Sequence, residues 1–245
     1  MNLDRVTITG ADDSIDPREL ALLSRRFPFV EWGILVSPTR QGGARFPSGA
    51  WIHELQIVNK YDGPLKLSLH VCGRWVRRLL TGYDEIPVWL FTGVQRVQLN
   101  FHAEHTPCIA DQFVAALRDK PYQFIFQIDG SGGNEHMQLA VAAGLKDAVP
   151  LFDISGGAGI LPSEWPRAAE FEVSFPGIGY FGYAGGLGPD NLAGQIPKIA
   201  EAAGNARVWI DMESRVRSGG GVGPDVFDLD KVERCLQIAE PFVRT

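Results

Sequence analysis

Cysteine is scarce in this chain of 245 residues. Cys72, Cys108 and Cys235 are odd in number and far apart, so neither a disulfide framework nor a C-x-x-C metal knuckle can be assembled. A reducing, cytoplasmic setting is the expectation. Positive charge is not in excess: 23 Lys and Arg stand against 29 Asp and Glu, for a net charge of −6. Such a chain has no general attraction to phosphate backbones or anionic lipid, which argues against nucleic-acid and membrane partners. Nowhere do eighteen uncharged apolar residues follow one another, and MNLDRVTITGADDS has no basic leader ahead of an apolar run. Also missing are a residue-level repeat, a low-complexity tract and a polar linker that would divide the chain.

What is present is alternation. Runs rich in β-branched and aromatic residues predict strands at 6–10, 30–37, 66–73, 96–103, 123–130, 149–155, 178–186 and 207–212. Helical patterns lie between them, in DPRELALLSRRF, WIHELQIVNKY, RWVRRLLTG, IADQFVAALRDK, NEHMQLAVAAG and DNLAGQIPKIAEAAG, with LDKVERCLQIAE after the eighth strand. Eight βα units in this length predict one α/β domain over residues 1–245, a (β/α)8 TIM barrel. A doubly wound open sheet is the alternative. It is disfavoured because the first strand runs into GADDSID and not into the G-x-G-x-x-G that brings backbone up to a dinucleotide.

In a barrel, alternate residues of each strand face the interior, and strand C-terminal ends face the usual site. Counting by twos groups Thr7 with Thr9, Ser68 with His70 and Cys72, Gln98 with Asn100 and His102, Gln127 with Asp129, and Asp153 with Ser155. The neighbours of opposite parity, among them Ile8, Leu69, Val71, Leu99 and Phe126, are apolar. A lining polar on five strands implies a hydrated cavity or a polar ligand, since a barrel filled for stability alone would carry Val, Ile and Leu inside.

The motifs themselves carry a resemblance. VTITGADD, ARFPS, VQLNF, LFDISGGAGILPSEW, YAGGLGPDNLAGQI and IDMESRVRS, in that order along the chain, look like phosphoribosylanthranilate isomerase. The sharpest of them is AGGLGPDN, which resembles that family's AGGL-x-P-x-N loop. The resemblance implies a TIM barrel that carries out a cofactor-free Amadori rearrangement, turning a phosphorylated aminoaldose into an aminoketose. It gives Asp153 the part of general acid, with Gly156 and Gly157 letting backbone approach the ligand. Gly185, Gly186 and Leu187 become an anion cradle ahead of a helix N-terminus. Arg45 takes the part of the arginine that holds a substrate carboxylate, and Ser214 matches a serine of the eighth-strand motif.

Two positions depart from the pattern. Where the family's first strand has a cysteine base in K-I-C-G, this chain has Thr7-Ile8-Thr9-Gly10, so Thr9 occupies the base position, and a hydroxyl is a far poorer base than a thiolate. His70, Cys72, His102 and Asp129 are the candidates for a substitute base. At the eighth strand Arg215 stands where the family has glycine and Arg217 where it has glutamate, which either blocks a backbone phosphate grip or replaces it with a charged one. The expected ligand is a small, anionic molecule, with no cofactor or metal; a homo-oligomer is compatible with the sequence. Two other functions stay open: a ligand-binding or sensor barrel that lost the base, and a metal-dependent hydrolase or lyase drawing on His70, His102, Asp129, Asp153, Asp211 and Glu213.

Overall fold

The computed structural model describes residues 1–100, 108–128, 134–145, 147–155, 158–219 and 223–244. His102, Asp129, Gly156 and Gly157 therefore lie outside the described residues. Eight parallel strands close on themselves in sequence order: β1 (Asn2–Thr9), β2 (Val30–Val36), β3 (Leu67–Val71), β4 (Arg96–Leu99), β5 (Gln123–Ile128), β6 (Ala148–Phe152), β7 (Tyr180–Ala184) and β8 (Arg207–Met212). Closure is by β1, which pairs with β2 from Val6↔Val30 to Thr9↔Gly33 and with β8 through Thr7↔Asp211 and Ile8↔Met212. The expected barrel is what the chain forms.

Helices connect the strands: α1 (Pro17–Arg26), α2 (Gly49–Tyr61), α3 (Arg74–Leu79), α4 (Ala110–Arg118), α5 (Asn134–Ala142), α6 (Ala168–Ser174), α7 (Leu192–Ala203) and α8 (Leu229–Ala239). Three open on the side-chain caps their sequences offer. Asp16 accepts from Arg18 N at 2.8 Å, Ser48 from Trp51 N at 3.2 Å and Asp228 from Lys231 N at 3.1 Å, each satisfying a donor the first turn leaves over. One helix, α6, was not among the helical patterns read from the sequence. It has only seven residues and opens just after Pro166; Glu170 holds its start by accepting from Arg167 N at 2.9 Å.

Strand parity separates two cores. Ile8, Leu69, Leu99, Phe126, Phe152 and Ile210 face the helix layer and join one continuous apolar cluster. Each such buried side chain contributes roughly 1.5–3 kcal/mol. Inside the barrel a small second cluster, Ile125, Val149, Leu151, Ala184 and Trp209, fills the side formed by β5 to β8. The interior is thus less uniformly polar than the alternation suggested. Gly182 makes room for that cluster, since a Cβ there would stand 2.3 Å from the Trp209 ring and 2.6 Å from Leu151 Cδ1.

Near the N-terminal ends of the strands the interior holds a buried ion cluster. Glu31, fully buried, accepts from Arg96 Nη1 at 2.8 Å, from Arg5 Nη1 at 2.8 Å and from Thr7 Oγ1 at 2.9 Å. Burial raises its pKa, yet the two guanidinium charges and the Thr7 hydroxyl outweigh this and hold the carboxyl below its ordinary range. The Arg96 guanidinium lies 4.1 Å from the Trp209 ring centroid and 5.6 Å from that of Tyr180.

Candidate active site

Above this cluster the strand C-terminal ends and their loops enclose a cavity of about 750 Å3. His70, Cys72, Gln98, Asn100, Gln127 and Asp153 line it, as their parity predicts, together with Ser155. Asp211 and Glu213 enter from β8 and its end, and Arg40, Arg45 and Arg215 from the loops.

Asp153 follows β6 directly and is 8% exposed. Both of its oxygens are served by donors: Oδ2 by Gln127 Nε2 at 2.7 Å, Oδ1 by Ser155 N at 2.9 Å and Ser155 Oγ at 2.7 Å. Across from it, Gly185 and Gly186 have positive φ angles of 115° and 61°, which L side chains seldom adopt. They also stand where no side chain fits: a Cβ on Gly186 would lie 2.5 Å from Leu161 N and one on Gly185 3.0 Å from Ile160 O. The site of that Gly185 Cβ is 3.6 Å from Asp153 Oδ1, so carboxylate and glycine loop are neighbours.

Asn191 fixes this loop. Its side chain makes no cap bond to α7; it accepts from Gly188 N at 3.0 Å and donates to Gly186 O at 2.7 Å. The amides of Gly185, Gly186 and Leu187 have no acceptor among the described residues. These three residues line the cavity, whereas Leu192 N and Gly194 N at the start of α7 are bonded to Gly188 O and Asn191 O.

Thr9 does not offer its oxygen to the cavity. It is buried, and its hydroxyl donates to Asp211 Oδ1 at 2.8 Å. Gly33 makes this possible, because a Cβ there would stand 2.2 Å from Thr9 Oγ1 and 2.9 Å from His70 Nε2. Asp211 itself is buried. Desolvation, followed by the charges of Glu213, Asp153 and Glu31, raises its pKa well above the ordinary carboxylate value, and the Thr9 hydrogen bond only partly opposes this. Glu213 is also raised by burial, against the pull of Arg45.

The substitute bases suggested by the sequence sit in less basic surroundings. Burial lowers the His70 pKa to about 3, leaving a neutral imidazole whose Nε2 has no partner among the described residues. Burial pushes the Cys72 thiol up to about 12, so the thiolate is disfavoured. Asn100 Nδ2 donates to its sulfur at 3.2 Å.

The three cavity arginines divide. Arg45, at φ 71° the one non-glycine residue with positive φ among the described residues, is committed. It pairs with Glu213 at 3.0 Å and Asp225 at 2.8 Å and donates to Ser214 Oγ at 2.9 Å. Arg217 is buried behind it, on Asp12 at 2.7 Å, Asp225 at 2.7 Å and the Gly10 carbonyl. It does not line the cavity and ties the rim together. Arg40, stacked 5.5 Å from the Phe46 ring centroid, and Arg215, whose stem covers Gly188, have no ion-pair partner among the described residues.

Sequence reasoning missed the Thr9–Asp211 bond, since it joins residues 202 positions apart. The parity of RVWIDM places Asp211 inward, and that was the available signal.

Solved structures share this barrel. A monomeric form of phosphoribosylanthranilate isomerase from Thermotoga maritima superposes with a TM-score of 0.59 at 15% identity, over 98% of this chain and all of that one. The isomerase from Pyrococcus furiosus gives 0.51 at 14% identity, over 97% of this chain and 98% of that one. The fold is that of these isomerases. The same barrel architecture is shared by phospho-2-dehydro-3-deoxyheptonate aldolase from Thermotoga maritima, with a TM-score of 0.53 at 10% identity over 98% of this chain and 71% of that one. No family model and no curated protein matches the sequence. No helix among the described residues is long and apolar enough to cross a membrane. Among the described residues no group of three or more His, Cys, Asp or Glu is placed to hold a metal ion.

Proposed function

We propose that the chain is a cofactor-independent isomerase that moves a proton within a phosphorylated or carboxylated sugar derivative. The observation that carries this is the adjacency of Asp153 to the 185–187 loop in one cavity. A proton-transferring carboxylate beside amides that accept an anion is what a sugar phosphate needs at its reacting end. The resemblance gives Asp153 the donor's part. Arg215 adds a cation next to Gly188, and Arg40 offers a second one across the cavity; both argue for an anionic ligand. Ser214 and Arg45 act as a pair on the rim, where Arg45 orients Ser214 and is itself held by carboxylates.

Turnover of phosphoribosylanthranilate to the aminoketose is the direct test. Asp153→Asn is expected to lower kcat/KM on the order of a hundredfold or more. No turnover on this or related aminoaldose phosphates would remove the isomerase. The engagement of Thr9 favours one second reading, a barrel that binds the ligand without converting it. That reading predicts thermal stabilisation by such ligands with no product formed.

A further inference from the structure

We propose that Asp211 is the second proton-transferring group of the cavity: it carries the proton in the resting site and releases it from Oδ2, with Thr9 as its positioning residue and Asp153 as the carboxylate that receives a proton. This rests on the isomerase reading and reverses the direction that the resemblance gives to Asp153.

Hydrogen bonding distinguishes the two aspartates. Asp153 receives an amide N–H on Oδ2 and an N–H and a hydroxyl on Oδ1, an arrangement that serves an ionised carboxylate. Asp211 receives one donor, the Thr9 hydroxyl on Oδ1, while Oδ2 has no partner among the described residues and the residue lines the cavity. A proton on Oδ2 is therefore free to point at a ligand.

The surrounding charges act in the same direction. Asp153 just after β6, Glu213 just after β8 and Glu31 on β2 all repel an ionised Asp211, and His70 on β3 is neutral. Four cations are engaged elsewhere, Arg45 with Glu213 and Asp225, Arg217 with Asp12 and Asp225, Arg5 and Arg96 with Glu31, while Arg40 and Arg215 line the same cavity from the loops with no ion-pair partner among the described residues. Two carboxylates in one site with opposed environments are the usual setting of an acid and a base.

The proton balance closes over one turnover. The Oδ2–H bond of Asp211 breaks and its proton goes to the sugar ring oxygen, which keeps the electron pair of the breaking C–O bond as the nitrogen lone pair forms C=N. Asp153 takes the proton of the adjacent carbon; the C–H pair becomes a C=C bond and the C=N pair returns to nitrogen. On ketonisation the first carbon takes the proton back from Asp153, and the enol hydroxyl gives its proton to Asp211. Both aspartates are then as they began.

Isotope-edited infrared spectroscopy of protein labelled at the aspartate carboxyl carbons tests the resting state without any substrate. A protonated carboxyl band that persists at neutral pH, disappears in Asp211→Asn, titrates at higher pH in Thr9→Val and returns to the wild-type midpoint in Thr9→Ser is the expected result. A band that is absent at neutral pH, survives Asp211→Asn or ignores Thr9→Val overturns the proposal. With turnover in hand, the alkaline limb of kcat/KM should follow the same midpoint and move with it in Thr9→Val. Asp211→Asn should lower kcat on the order of a hundredfold with KM little changed. An unchanged kcat, or a limb that Thr9→Val leaves in place, counts against Asp211, whereas an absence of turnover in the wild type beside the expected infrared result counts against the isomerase reading alone.

Discussion

Two levels of one barrel interior use polar residues in opposite ways. Toward the strand N-termini, Glu31 gathers Arg5, Arg96 and Thr7, and the remaining face of Arg96 rests on aromatic rings. At the level of the cavity, His70 Nε2, Gln98 Oε1 and Gln127 Oε1 are buried and have no partner among the described residues. Buried polar groups are costly to leave unpaired. The lower level centres on one shared carboxylate and holds the fold, with Arg96 Nε and Nη2 left against the aromatic rings without a hydrogen-bond partner among the described residues. The upper level is open and is arranged for something that enters it.

Removing Glu31 should break the comparison most severely. Glu31→Ala leaves two arginines without their shared carboxylate and is expected to cost about 3–5 kcal/mol. A urea midpoint unchanged from wild type would mean that the lower level does not hold the barrel.

Acid should act next, and on the upper level. His70 titrates near 6.5 in the unfolded chain and near 3 in the folded one, so the folded state binds fewer protons over that interval. Its contribution to stability is complete above pH 6.5 and is lost as pH falls toward 3, at about 1.4 kcal/mol per pH unit. Other carboxylates titrate in the same range, so the quantity to measure is a difference: wild type minus His70→Leu between pH 6.5 and 4.5. On the order of 3 kcal/mol is expected from the two units crossed. A flat difference would place water or another charge beside the imidazole.

The smallest change sharpens the boundary between the levels. Gly33→Ala puts a methyl group 2.2 Å from Thr9 Oγ1, so either the hydroxyl or the strand must shift. Overpacking of this kind costs about 1–3 kcal/mol. Turnover should fall further than in a surface variant of equal stability, because the Thr9–Asp211 bond is displaced. A protein that tolerates the alanine with full stability and activity would show that the bond is adjustable.

The architecture was legible because alternation of short β-branched runs with capped helices is a local property of the chain. Parity also placed His70, Gln98, Gln127 and Asp153 on one lining, and AGGLGPDN marked the loop that stands beside Asp153. What escaped were pairings across the ring. Nothing local indicates that Glu31 meets an arginine 65 residues later, or that Thr9 meets Asp211. Arg45 illustrates the same limit: the motif matched, yet the side chain is drawn to Glu213 and to Asp225, which lies 180 residues away. Motifs report which residues reach a cavity; closure of the barrel decides which of them are already occupied.

The mesh of Arg45, Arg217, Asp12, Asp225 and Glu213 has a consequence for how this barrel can change over evolutionary time. Reversing either arginine strands a carboxylate, Glu213 for Arg45 and Asp12 for Arg217, so those two positions should drift only through compensated double replacements. Arg40 and Arg215 stand outside the mesh and can be exchanged one at a time. Descendants of this chain that take up new ligands should therefore record the change at those two positions first.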